Sequence, residues 1–252
     1  MQVDTVRAGA EARAMADDRI CGVNAVAALF ARRPEAIVRL FYSDDAKMAA
    51  GPFCAAMAQM HKPYRLLPDD ELARAANTPH HGGICAIATE RPLGMMDFVR
   101  VPRMPLILVL DGVGNPHNLG AIARSAAFFG VGALLLHDMP LQAMPSDAAY
   151  RVAEGGLEHL EVYRTRNLRK ALLALDPHYR TVAATLGADA VPVATLPRDR
   201  PVALVLGNEE RGVGFEALET CRRRVRIPAR GAVQSLNVAQ AASVLLYELT
   251  KG

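Results

Sequence analysis

Residues Leu106 to Val113 (LILVLDGV) constrain the fold more than any other stretch of this chain. A near-continuous apolar run has no polar face to offer water, and such runs belong to strands covered on both sides, as in a parallel sheet. The text around it agrees. Strands are predicted at Gly132 to Leu136, Tyr179 to Thr185, Val202 to Leu206 and Val225 to Ile227, and helices over Leu119 to Phe129 and Leu236 to Leu249. Alternation of this kind predicts an α/β domain, residues 105–252, with a parallel sheet and helices on both faces.

A smaller α/β unit precedes it. Asn24 to Arg32 has apolar residues at helical spacing, Ile37 to Tyr42 reads as a strand, Pro52 to Met60 as a helix, and Tyr64 to Leu67 and Ile84 to Thr89 as short strands. Residues 20–90 therefore form one domain of ordinary size. Between the two, residues 91–104 hold prolines, a glycine and charges without periodicity, the signature of a linker. Residues 1–19, Ala-rich and of mixed charge, read as a disordered leader.

Composition sets outer bounds. Hydrophobic residues make up 51% and charged residues 22%, ordinary for a globular chain and unlike a disordered one. The formal charge of +3 permits a nucleic-acid partner without demanding one. The four cysteines (Cys21, Cys54, Cys85, Cys221) show no CxxC pair, so buried thiols are expected rather than a disulfide framework or a metal site. No apolar stretch reaches the length of a membrane span, and the N-terminus lacks the apolar core of a secretion signal. A cytoplasmic protein without metal or membrane partner is the expectation.

Three loops carry candidate chemistry. The first, Asp111 to Ala126, follows the buried strand and opens a helix, the place where open α/β sheets bind ligands. Asn118 is the expected N-cap, and Arg124 is expected to reach over Gly120 toward the helix mouth, because helical side chains lean toward the N-terminus. The glycines do not fit GxGxxG, which excludes an ordinary dinucleotide fingerprint. The second loop, Val205 to Gly214 (VLGNEERGVG), sets Glu209 among glycines that let backbone approach a ligand. The third, Arg226 to Ala242, runs from a strand through Gly231 to Ser235, Leu236 and Asn237 at the head of the last helix. Ser235 is also a natural N-cap. That helix is apolar nearly all round, which calls for cover on several sides, from a deeply packed core or a second copy.

Together the three resemble the SpoU/TrmH branch of the SPOUT RNA methyltransferases. The matching text is NPHNLGAIARSAAFFGV, LVLGNEERGV and IPARGAVQSLNVAQAASVLLYE, while GVNAVAALF and HHGGICA resemble the small RNA substrate-binding domain fused to many members. The resemblance implies a trefoil knot in the C-terminal domain, a homodimer formed through that domain, and S-adenosylmethionine as methyl donor. It implies transfer to a ribose 2′-hydroxyl of RNA, with rRNA favoured over tRNA. Asn118, Arg124, Glu209, Ser235 and Asn237 take the catalytic positions; Leu206, Gly207, Asn208, Ile227, Ser235 and Leu236 take the cofactor contacts. The competing reading is an RNA-binding or ribosome-assembly protein that keeps the fold without the activity.

Family accounts make the arginine activate the hydroxyl. Arginine stays protonated, with a pKa above ~12. A shift of about five units, roughly 7 kcal/mol, would be needed to make it a base near neutrality. Binding a phosphate or stabilising the emerging alkoxide is the role its chemistry allows. For RNA contact the candidates are Arg32, Arg33 and Arg39 in the small domain and Arg222 and Arg223 before the third loop. A second basic cluster (Arg164, Arg166, Arg169, Lys170) reads equally as a solvated face.

Overall fold

The computed structural model describes residues 17–251. Residues 1–16 of the expected leader lie outside that range, whereas Asp17 to Arg19 already belong to the first strand. The N-terminal elements are β1 (Asp17–Cys21), α1 (Val23–Arg32), β2 (Ile37–Tyr42), α2 (Lys47–Gln59), β3 (Tyr64–Leu66), α3 (Asp69–Ala76) and β4 (Ile84–Thr89). They build a four-stranded mixed sheet of order β1-β4-β2-β3. Helix α2 starts five residues before Pro52, the expected first residue, so the proline sits inside the helix.

The C-terminal elements are β5 (Gly94–Met95), β6 (Leu106–Asp111), α4 (Pro116–Phe128), β7 (Ala133–His137), α5 (Asp147–Ala153), β8 (Glu161–Thr165), α6 (Leu168–Leu175), β9 (Arg180–Ala184), β10 (Val191–Pro192), β11 (Val202–Gly207), α7 (Phe215–Thr220), β12 (Arg223–Arg226) and α8 (Val238–Thr250). Eight strands form one parallel sheet of order β10-β12-β9-β11-β6-β7-β8-β5. Within residues 91–104, β5 pairs with the edge strand β8, and Met96 and Val101 are buried. That stretch therefore finishes the sheet edge.

The apolar run behaves as its composition demands. Leu106, Leu108 and Leu110 of β6 enter a core shared with α4, α5 and α8, while Ile107 and Val109 face a second core beneath α6 and α7. All six residues of β6 are buried, Asp111 included. Strand side chains alternate between faces, so only a strand covered on both sides has use for an apolar residue at every position.

The two sheets are not loosely tethered. Helix α5 and the 3₁₀ turn Gly156–His159 lie against β1 and α1, and the first core runs continuously from Ile20 and Leu29 to Leu246. Polar bonds tie the boundary. Arg33 Nε and Nη2 donate to the two carboxylate oxygens of Glu158 at 2.8 and 2.7 Å. Arg91 Nη1 and Nη2 donate to the carbonyls of Leu157 and Leu160 at 2.5 and 2.6 Å. The Arg19 amide donates to Asp147.

Candidate functional site

Strands β12, β9, β11 and β6 are parallel neighbours, so their C-terminal ends lie along one rim of the sheet. The loops after β6, β11 and β12 are the three singled out above, and the sheet brings them together. Asn118 Nδ2 donates to Glu209 Oε1 at 2.5 Å, and Asn237 Nδ2 donates to Asn118 Oδ1 at 3.2 Å. One residue from each loop thus joins a single exposed chain of hydrogen bonds.

Beneath it the rim is built rigidly. Gly207 closes β11, and a Cβ there would collide with the backbone of Gly212 and Val213, so the second loop folds back on itself at a distance only glycine permits. The Asn208 and Gly212 amides each donate to the other's carbonyl, at 3.0 and 2.8 Å. The Asn208 side chain donates to the Gly112 carbonyl and accepts from the amides of Glu210 and Arg211. Asn208, expected at the cofactor, has its polar groups spent on the shape of the loop. Asp111 Oδ2 accepts from the Gly214 amide at 2.8 Å, and its Oδ1 meets His137 Nδ1 at 2.8 Å, which locks the first loop to the second. Buried Gln142 accepts from the amides of Gly112 and Val113 and donates to the carbonyls of Val113 and Ala143. It satisfies backbone groups that the turn would otherwise leave unpaired. Sequence reasoning passed over Gln142 because it sits in an aperiodic stretch, and only the fold carries it beneath the first loop.

Three local expectations are corrected. The N-cap of α4 is Asn115, whose Oδ1 accepts from the His117 amide at 2.8 Å. Pro116 begins the helix with the φ that an N1 position requires, so Asn118 lies inside the first turn and its side chain is free to face Glu209. Asn237, not Ser235, caps α8, accepting from the Ala239 amide at 2.9 Å. The space above Gly120 is not an open path: a Cβ there would meet the Ala149 carbonyl oxygen at 2.5 Å, because α5 packs across it. Arg124 accordingly points elsewhere. Its Nη1 donates to Glu154 Oε1 at 2.8 Å instead of reaching Asn118 or Glu209. Six residues separate Asn118 from Arg124, about 120° around an α-helix and about 9 Å along it, so the two side chains leave α4 in different directions.

Of the expected cofactor residues, Leu206 is buried, Gly207 and Ile227 are half-buried, and Ser235 and Leu236 are exposed at the same rim. Apolar side chains stand open beside them: Leu186 after β9 is 55% exposed, Val233 76% and Leu236 48%. A large cavity of about 810 Å³ lies at the other end of the strands, among Leu106, Phe129, Tyr179, Val202 and Leu249, away from these loops.

The RNA candidates separate by what already holds them. Arg33 is committed to Glu158, with its side chain only 14% exposed, and is not available to a phosphate. Arg32 lies exposed, its Nε directed at the Glu158 carbonyl at 3.4 Å. Arg222 is clamped by Asp176 at 2.6 to 3.1 Å. Arg39 and Arg223 are exposed, and neither pairs with a carboxylate among the described residues. In the second cluster Arg164 and Arg166 share Asp138, and Lys170 lies over the Phe98 ring at 4.9 Å. Among the described residues no group of side chains able to hold a metal ion occurs, and no helix is long and apolar enough to cross a membrane.

Comparison with known proteins agrees with this geometry. Residues 105–247 match the SpoU rRNA Methylase family, and residues 19–93 match the family described as RNA 2′-O ribose methyltransferase substrate binding. A protein of Escherichia coli O157:H7, described as an uncharacterized tRNA/rRNA methyltransferase, is 34% identical over 92% of this chain and 67% of its own length. The 23S rRNA (guanosine-2′-O-)-methyltransferase RlmB of Acinetobacter baylyi is 31% identical over 90% of this chain and 94% of its own. Among solved structures, the SpoU methyltransferase AviRb of Streptomyces viridochromogenes, in complex with the cofactor AdoMet, superposes with a TM-score of 0.75. It covers 93% of this chain and 89% of its own at 21% identity, a likeness of fold. With its three rim loops, its parallel sheet and a family match over more than half its length, the chain belongs to the SpoU rRNA methylase family.

Proposed function

We propose that this protein transfers a methyl group from S-adenosylmethionine to a ribose 2′-hydroxyl of structured RNA, rRNA in preference to tRNA, in the cytoplasm and as a homodimer. The observation that carries the reading is the convergence of Asn118, Glu209 and Asn237, from loops 91 and 119 residues apart, into one bonded chain. The RNA methyltransferase names of the relatives and the substrate-binding match of the small domain support it.

The rim fits the donor. S-Adenosylmethionine supplies a methyl group on a sulfonium and needs apolar cover for its base and backbone groups for its polar edges. Leu186, Val233 and Leu236 offer the first, and Leu206, Gly207 and Ile227 the second, from neighbouring strand ends. A knotted C-terminal segment belongs to the same reading. After β12 on the far flank of the sheet, the chain returns to lay α8 against α4 and β11, past the loop drawn tight at Gly207. The apolar face that α4 and α8 leave open suits a second copy: Phe128 is 82% exposed and Tyr247 55%, around the Ser125–Ser243 hydroxyl pair.

The residues divide the work by their chemistry. Asn118 and Asn237 hold one another and Glu209 in a set orientation, which positions a hydroxyl for in-line attack. Arg124 keeps its proton and donates to the ribose oxygen or the adjacent phosphate, stabilising charge as it develops. Arg39 and Arg223 meet the RNA backbone and set its placement without reading sequence. The test is incubation of the full chain with methyl-tritiated S-adenosylmethionine and rRNA from a strain lacking the protein, followed by 2′-O-methyl mapping. A single new ribose methyl supports the reading; label on a base, or none with a donor-binding dimer, overturns it.

A further inference from the structure

The segment Glu154-Gly155-Gly156, which joins α5 to the turn before β8, touches both the small domain and the helix that carries Arg124. Glu154 Oε1 accepts from Arg124 Nη1 at 2.8 Å, and its Oε2 accepts from Asn24 Nδ2 of α1 at 3.1 Å. The carboxylate is thus divided between two residues 130 and 30 positions away, one in each domain. Its backbone has little freedom. Glu154 is held at φ 44° and ψ 47°, a left-handed conformation that non-glycine residues adopt only where the surroundings enforce it. Gly155 is pressed to α1, where a Cβ would stand 2.7 Å from Ala28 Cβ and 3.0 Å from the Asn24 carbonyl oxygen. Gly156 is pressed to α4, where a Cβ would stand 2.8 Å from Arg124 Cα. The segment is therefore a bracket between α1 and the Arg124 turn, and its one charged side chain bonds to both.

Stability does not account for this arrangement. The Arg124 and Glu154 side chains are 58% and 43% exposed, and pairs so open to water contribute little to folding. An exposed pair does fix direction, and Arg124 otherwise has a long flexible stem. We propose that Glu154 is a positioning residue that aims the Arg124 guanidinium, and that Asn24 of the small domain aims Glu154 in turn. The domain facing RNA is thereby coupled to the arginine of the catalytic domain. The inference rests on the reading of Arg124 as a group that meets the substrate.

Two readouts on the full chain separate the inference from that reading. The first needs no substrate: the Arg124 Nε–H signal, assigned by its loss in Arg124→Lys, is followed by nitrogen-15 NMR in the parent, Glu154→Gln, Glu154→Ala and Asn24→Ala. A shifted or exchange-broadened signal in all three variants is expected, at unchanged melting temperature. The second is methyl transfer to rRNA lacking the modification. Arg124→Ala is expected to lose about a hundredfold in kcat. Glu154→Ala is expected to lose about tenfold in kcat at unchanged KM for RNA, as for a misplaced group, and to cost nothing further in the Arg124→Ala background. Asn24→Ala follows in the same direction by about threefold, and Glu154→Asp recovers part of the loss. Parent-like kcat and an unmoved Arg124 signal in Glu154→Ala overturn the inference while leaving the activity intact. Full activity in Arg124→Ala overturns the reading of Arg124 itself, and the NMR arm still decides whether Glu154 and Asn24 hold the side chain.

Discussion

Asn118 and Glu209, 91 residues apart, meet side chain to side chain at 2.5 Å above the rim of the parallel sheet. Glu209 is exposed and Asn118 half-buried, and a bond this open to water adds little to folding, so its value lies in orientation. Asn118→Ala or Glu209→Ala is therefore expected to leave thermal stability within about 0.5 kcal/mol of the parent. Each is expected to lower kcat about a hundredfold. The pair substitution should cost scarcely more than either alone, measured as methyl transfer to rRNA. Additive losses would mean that the two act separately.

At Gly207 the second loop returns so closely that a methyl group has no room against Gly212 and Val213. Overpacking of this kind costs about 1 to 3 kcal/mol and displaces backbone. Gly207→Ala should weaken S-adenosylmethionine binding at least about tenfold by calorimetric titration, that is by about 1.4 kcal/mol. A variant that binds as the parent does would remove this loop from the cofactor site.

The Arg33–Glu158 pair crosses the domain boundary with the Glu158 side chain only 1% exposed. Removing one partner strands a buried charge, so Glu158→Ala should cost about 3 to 5 kcal/mol in urea unfolding. Replacing both, as Arg33→Met with Glu158→Leu, should cost clearly less. If the single and double variants unfold alike, the pair is not a buried ion pair in solution.

Asp18 sits beside this pair, and burial pushes its carboxyl up to about 6, against the opposing pull of the Arg91 amide and the Arg33 charge. A raised folded-state value means that the folded protein holds the proton more tightly than the unfolded chain. Its contribution is complete below about pH 4 and is lost as pH rises through about 6. Asp18→Asn, which stays neutral, should gain on the parent by about 1 to 2 kcal/mol between those limits. Urea midpoints across the range measure this, and parallel curves would show that Asp18 ionises normally.

Arg39 is exposed and pairs with no carboxylate among the described residues, whereas Arg222 is held by Asp176. Arg39→Ala should weaken RNA binding and reduce the slope of log affinity against log salt by about 1. Arg222→Ala should leave that slope nearly unchanged. The reverse order would place the RNA path over Arg222.

The alternation of strand and helix, the doubly covered strand at Leu106–Asp111 and the three glycine-containing loops at strand ends were legible in the sequence, because periodicity and glycine placement report burial and turns directly. Residue identity also limited Arg124 to a protonated role. What the loops do to one another was not legible. Asn115 and Asn118, like Ser235 and Asn237, are both acceptable caps by composition, and only the paths of α4 and α8 select Asn115 and Asn237. The partners of Arg124, Arg33 and Gln142 depend on which surfaces α5 and α1 bring together. Local sequence sets which conformations a segment favours, but long-range side-chain bonds belong to the tertiary arrangement, where distant segments share a surface. Glu154 shows the difference most plainly: an unremarked residue in AEGGLEH, it joins both domains only once the sheet has been assembled.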